Sequence, residues 1–260
     1  MEQYENRGIK EIIAEFPEVG TVLEQYGIGC GPCTVGMCQL KDILEIHQME
    51  PEQERELMLR IESVIYPERD IQIFRETTVP SERKVHVFHS LPMQKLVGEH
   101  VQIKRWLALI PFVVESMDLN SEKGQELVRD GIDLIRSYAD RLHHGKEEDI
   151  LFAYFDDSLE IFQVIYQDHK EARNLVKAML ASLEATDTRT LKEHLLAYRS
   201  LLAEHIKKED EILFPWLDRE LTAGQIEEIA EKFVLKDKET GIDPGKYELF
   251  LDNLEQRFTP

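Results

Sequence analysis

His143-His144-Gly145-Lys146-Glu147-Glu148-Asp149-Ile150-Leu151-Phe152 returns later in the chain as His205-Ile206-Lys207-Lys208-Glu209-Asp210-Glu211-Ile212-Leu213-Phe214. Laid over each other, the two copies read His-x-x-Lys-Glu-acid-acid-Ile-Leu-Phe. Both sit in strongly helical sequence. A His and a Glu four residues apart fall on one face of a helix, one turn apart. Such a pair presents an imidazole and a carboxylate to the same point, and two such pairs in one domain point to a metal centre. In the first copy His144 and Glu148 share that spacing. The second copy aligns with His143 and Glu147 and selects them.

Around the repeat, residues 91 to 220 read as four long helices, roughly 91–117 with a kink at Pro111, 122–155, 157–183 and 188–219. The joints Asp118-Leu119-Asn120-Ser121, Asp156-Asp157-Ser158 and Thr186-Asp187-Thr188 each carry N-cap residues. Short joints between long helices make antiparallel neighbours, so the expected fold is all-α, an up-down four-helix bundle. Two further helices, about 222–233 and 245–257, form a C-terminal tail over 221–260.

Each bundle helix carries a histidine on its apolar stripe: His100 with Met93, Leu96, Ile103 and Leu107; His143 with Ile150 and Tyr154; His169 with Phe162, Ile165, Ala172 and Val176; His205 with Tyr198, Leu202 and Ile212. From His100 to the first joint is about 25 Å of helix at 1.5 Å per residue, and the return to His143 is about 32 Å. The remaining legs cancel as closely, which brings the four histidines to one level. Four imidazoles and two carboxylates (His100, His143, Glu147, His169, His205 and Glu209) exceed what one tetrahedral zinc takes. They suit a dinuclear centre of two iron ions, with manganese or zinc as alternatives. Each Glu is placed to bridge, and a solvent oxo or hydroxo group would complete the bridge. Glu99 and Asp168, next to His100 and His169, are either acceptors for ring N–H groups or solvated charges beside the buried face.

The order His100, His143-x-x-x-Glu147, His169, His205-x-x-x-Glu209 resembles the haemerythrin-like HHE cation-binding domain. Glu at both His-x-x-x-Glu positions is similar to the iron–sulfur-cluster repair di-iron proteins and departs from the oxygen-carrying haemerythrins, which use an extra His and an Asp. The resemblance implies a non-haem di-iron protein that repairs iron–sulfur clusters or defends against nitric oxide and oxidative stress. Its partners would be nitric oxide, oxygen or peroxide, together with iron–sulfur proteins. The alternative is a haemerythrin-like module that binds oxygen or nitric oxide and signals to a partner protein.

Residues 1–65 read as a small helical domain. Ile9, Ile12, Ile13, Phe16 and Val19 keep helical spacing, interrupted at Pro17, and Pro51 stands near the start of a helix bearing Leu57, Leu59, Ile61 and Ile65. Between these lies a turn by composition, Gly27-Ile28-Gly29-Cys30-Gly31-Pro32-Cys33, followed by Cys38. Three clustered cysteines read as a redox dithiol, a docking point for a metal or cluster, or inert structural thiols; Cys30, Cys33 and Cys38 are the candidate cofactor-binding residues. The stretch is similar in placement to the N-terminal module of the cluster-repair proteins, whose adjacent cysteines are replaced here by Cys-x-x-Cys. Residues 66–90 read as a linker with β-like runs at 71–74 and 85–88.

The net charge of −20 repels phosphate backbones and anionic lipid, which argues against nucleic-acid and membrane partners. The first residues lack the basic and apolar regions of a secretory signal, and no apolar run is long enough to span a bilayer. A cytoplasmic location is the default expectation.

Overall fold

The computed structural model describes residues 2–26, 28, 39–41, 49, 51–69, 88, 90–116 and 118–258. Cys30, Cys33 and Cys38 lie outside the described residues, as do the β-like runs at 71–74 and 85–87. The described residues are helical, with one isolated bridge between Gly8 and Gln39 and no named strand. No helix among them is long and apolar enough to cross a membrane.

The chain divides into two compact units. The first takes in residues 1–87 and 211–216. It contains α1 (Glu2–Glu5), α2 (Ile9–Glu15), α3 (Pro17–Gln25) and α4 (Pro51–Ile65). Pro17 cannot donate a backbone hydrogen bond, so α2 stops at Glu15 and a new helix starts with Pro17 at its first position. Ile9, Ile12, Val19, Leu23, Leu57 and Ile61 form the buried core, and Tyr4 packs edge-on against Phe16 and Tyr66.

The second unit takes in residues 88–210 and 217–260. It starts with α5 (Leu91–Ser116), which carries Pro111 within it. Next comes α6 (Glu122–Asp133), capped by the Ser121 hydroxyl accepting from the Gly124 N–H. This helix passes without a break into a π-helical run (Leu134–His144), a shorter π-helical segment (Glu147–Leu151) and a 3-10 turn (Phe152–Tyr154). Helix α7 (Glu160–Glu184) is preceded by Leu159 and has no side-chain cap; Asp156 instead accepts from Ser158 within the joint. Helix α8 (Thr188–Lys208) is capped by Asp187 and runs on through a π-helical turn (Glu209–Leu213) into α9 (Phe214–Glu220).

Helix α7 lies along α8, α8 along α5, and both α5 and α7 along the π-helical run, which closes the ring of four. Its core includes Trp106, Ile110, Ile135, Tyr138, Met179, Leu195, Tyr198 and Leu202. Burying such side chains contributes about 1.5–3 kcal/mol each before the entropy of ordering them is subtracted.

The C-terminal segment belongs to this unit. Helix α10 (Ala223–Thr240) starts on a capping box between Thr222 and Gln225 and ends at Gly241, whose φ of 60° is the left-handed conformation that glycine tolerates best. Helix α11 (Pro244–Phe258) puts Tyr247, Leu251 and Leu254 into the bundle core. It is tied to α5 by Arg105, which donates to Asp252 and to both oxygens of Glu255.

Candidate metal centre

The six residues selected from the sequence are all buried within the second unit: His100 on α5, His143 and Glu147 in the π-helical part of the second bundle helix, His169 on α7, and His205 and Glu209 where α8 turns π-helical. A seventh, His144, lies with them. Two sets of side chains could hold a cation. One is His100, His143, Glu147 and Glu209; the other is His144, Glu147, His169 and His205. In each set the donor atoms lie within 4.8 Å of one another, and Glu147 belongs to both.

The Nε2 atoms converge on the carboxylates. His143 Nε2 is 3.3 Å from Glu147 Oε1, and His169 Nε2 is 3.5 Å from Glu147 Oε2. His100 Nε2 and His205 Nε2 are 3.3 and 3.1 Å from Glu209 Oε2. His169 Nε2 and His205 Nε2 are 3.2 Å apart, and the His144 ring stacks on His169 with centroids 3.9 Å apart.

The outer nitrogens explain why the inner ones face inward. His100 Nδ1 is 2.7 Å from Asp210, His143 Nδ1 is 3.1 Å from Glu99, His169 Nδ1 is 2.5 Å from Glu148 and His205 Nδ1 is 3.4 Å from Asp168. A carboxylate only accepts, so each Nδ1 carries a proton; an ion that displaces any proton on Nε2 then meets its lone pair. The fifth ring departs from the pattern: His144 Nδ1 lies 3.4 Å from Asp140 without a hydrogen bond among the described residues. Metal-binding histidines characteristically have this carboxylate behind them.

These contacts follow the repeat. The acid after each repeated Glu, Glu148 or Asp210, holds the histidine of the other half, His169 or His100. Glu99 and Asp168 do not serve the ring beside them in sequence. Neighbouring residues on an α-helix point about 100° apart, so each acid reaches the next helix and holds His143 or His205. Both acids thus accept a ring N–H, as expected, each from a histidine of a neighbouring helix.

The π-helical geometry accounts for His144. On an α-helix His143 and His144 would diverge, and one alone would face the core. Here the Gly145 N–H reaches the Asp140 carbonyl and the Phe152 N–H reaches that of Glu147, both five residues back. The wider turn rotates less per residue and leaves both rings buried in the cluster. Such insertions recur at functional sites.

A cation fits the electrostatics. Both oxygens of Glu147 and of Glu209 are buried with no hydrogen-bond partner among the described residues, as are Nε2 of His143 and of His144. Burial and the charge of Glu209 push the Glu147 carboxyl above the ordinary carboxylate range. Burial also acts to raise Glu209, but His205 and His100 outweigh it and hold that carboxyl well below. Burial would lower His143 and His205, yet the facing carboxylates, Glu147 and Glu209 foremost, push them up to about 10 and about 9. His144 is depressed to about 4, chiefly by burial, and His169 is lowered for the same reason. Two buried carboxylates without hydrogen-bond donors and close to each other cost free energy that a positive ion would offset.

The haemerythrin HHE cation-binding domain matches residues 91–217. Uncharacterised proteins of Mycobacterium tuberculosis and Mycobacterium bovis are 23% identical over 149 residues, which cover 54% of this chain and 58% of theirs. The chain therefore spans less than two thirds of the curated relatives it matches. No solved structure matches.

Proposed function

We propose, for a chain whose residues 91–217 are a haemerythrin HHE cation-binding domain, a non-haem di-iron function. The observation that carries this reading is the pair of buried donor sets sharing Glu147. One ion would be held by His100, His143, Glu147 and Glu209, the other by His144, Glu147, His169 and His205. Imidazole and carboxylate donors suit iron, with manganese or zinc as weaker alternatives. Two dipositive ions against two carboxylates leave the site net positive, which favours an anionic or electron-rich small ligand. Iron, when bound, supplies ferrous–ferric cycling and affinity for nitric oxide, oxygen or peroxide.

The protein's own contribution is to orient and enclose. Each Nδ1–H is held by an outer carboxylate so that Nε2 points inward, and the rings are withdrawn from solvent. The role we assign is repair of iron–sulfur clusters or defence against nitric oxide and oxidative stress. Its support is the presence of Glu at both His-x-x-x-Glu positions, the ligand pattern to which the chain is similar.

The test is metal analysis with Mössbauer spectroscopy of the purified chain, followed by stopped-flow mixing with nitric oxide and transfer assays to an apo-ferredoxin. Two irons per chain, a rapid reaction with nitric oxide and iron delivery support the proposal. A stoichiometry of one, or zinc as the native metal, overturns the di-iron reading. Reversible oxygen binding with no turnover and no iron delivery overturns the repair role in favour of a sensing module.

A further inference from the structure

The repeat His-x-x-Lys-Glu contains a residue that the donor sets leave unexplained, its lysine. Lys146 and Lys208 occupy the same position in the two copies, three residues after the histidine and directly before the glutamate. Both are buried, Lys146 completely and Lys208 at 7% exposure, whereas long cationic side chains are rarely buried unless paired.

Their partners are equivalent too. Lys146 Nζ is 2.5 Å from Glu99 Oε1, and the other oxygen of Glu99 takes His143 Nδ1 at 3.1 Å. Lys208 Nζ is 2.5 Å from Asp168 Oδ2, the oxygen that also lies 3.4 Å from His205 Nδ1. In both halves, then, a lysine grips the carboxylate that orients the histidine of its own repeat. Lys146 is further fixed by Asp237 on α10 at 2.5 Å and lies 5.9 Å from the Phe233 ring. The C-terminal segment thus reaches the centre through this lysine.

We propose that Lys146 and Lys208 are positioning residues that act on the metal centre through Glu99 and Asp168. The inference rests on the metal reading above. A carboxylate held by a fixed ammonium cannot swing away, so the oxygen that accepts the imidazole N–H stays in place, which sets the ring plane and aims Nε2. A serial arrangement predicts a specific signature: removing the lysine matters while the carboxylate is present and ceases to matter once the carboxylate is gone.

The experiment loads the full chain anaerobically with ferrous iron and measures its release to a ferrous chelator. The variants are Lys146→Met, Glu99→Gln and their double, with Lys208→Met, Asp168→Asn and their double as an independent set in the other half. Each lysine variant is expected to release iron about 10-fold faster, the low end of what outer partners of metal ligands contribute. Each double variant is expected to match its carboxylate variant within about 2-fold, and Lys146→Arg and Lys208→Arg should restore slow release. Unchanged release in the lysine variants, or multiplicative effects in the doubles, would overturn the proposal. So would loss of fold in both lysine variants, because the lysines would then be structural. A wild-type chain that takes up no iron would instead overturn the metal reading itself.

Discussion

Replacing Glu147 by Gln separates the stability of the fold from the binding of metal, because the two should move in opposite directions. The side chain is completely buried, and neither oxygen has a hydrogen-bond partner among the described residues. Its donor oxygen lies within 4.8 Å of that of Glu209. Two unit charges at that distance repel by about 3 kcal/mol at an effective dielectric of 20. Against this stands the ion pair with His143 at 3.3 Å, which Gln gives up. Burial and Glu209 nevertheless win, since the Glu147 carboxyl is raised above its ordinary value.

The expected net gain for metal-stripped protein is about 1–3 kcal/mol, or roughly 2–4 °C of Tm per kcal/mol for a domain of this size. A group with a raised carboxyl pKa costs the wild type more as pH rises, so the gain should be larger near about pH 8 than near about pH 5. Metal loading should reverse the order. A ligand at 100 times its Kd stabilises by about 2.7 kcal/mol, and the variant loses the one side chain common to both donor sets. Differential scanning calorimetry of stripped and iron-loaded protein, wild type beside Glu147→Gln, measures both effects. A stripped variant that melts below the wild type, or equal stabilisation of the two by iron, would refute the reasoning.

Further outcomes follow from individual contacts. Glu148→Ala removes the acceptor of His169 Nδ1 and should weaken iron binding by about 10- to 100-fold without changing the number of ions bound, as read by anaerobic titration. His144→Ala should lose one of two ions, measured by iron analysis after gel filtration; full retention of both would show that this ring is packing. Gly131→Ala would place a Cβ 2.3 Å from the Trp106 ring in a closed core. It should cost about 1–3 kcal/mol by thermal melting, the range for overpacking. Asp187→Ala removes the cap that accepts from the Thr190 N–H. That bond lowers the Asp187 pKa below its unfolded value of 3.8, so the contribution is present above that pH and lost as pH falls through the folded value. The wild type and Asp187→Ala melting curves should therefore converge in acid.

The bundle was legible in the sequence because helical spacing and short polar joints are local signals. The common level of His100, His143, His169 and His205 followed from rise per residue alone. The joint at Asp156 is less legible: an Asp or Ser before an apolar run looks like a cap, but Leu159 occupies the first flanking position and Asp156 is spent on Ser158. His144 escaped because an even helical repeat forces a choice between neighbours, and nothing local announces a π-helical run. The crossed use of Glu99 and Asp168 depends on which helix stands next to which, a long-range property. The repeated lysine was visible from the start, but its burial becomes apparent with the bundle assembled. The packing of Tyr247, Leu251 and Leu254 into the bundle core is likewise tertiary, since amphipathic spacing does not say which surface a helix will cover.

Everything proposed for the centre turns on two overlapping donor sets that share Glu147. Anomalous diffraction at the iron edge from crystals of the iron-loaded chain tests it most directly. Two peaks are expected within the second unit, one among His100, His143, Glu147 and Glu209 and one among His144, Glu147, His169 and His205. A single peak, or iron held away from Glu147, would contradict it.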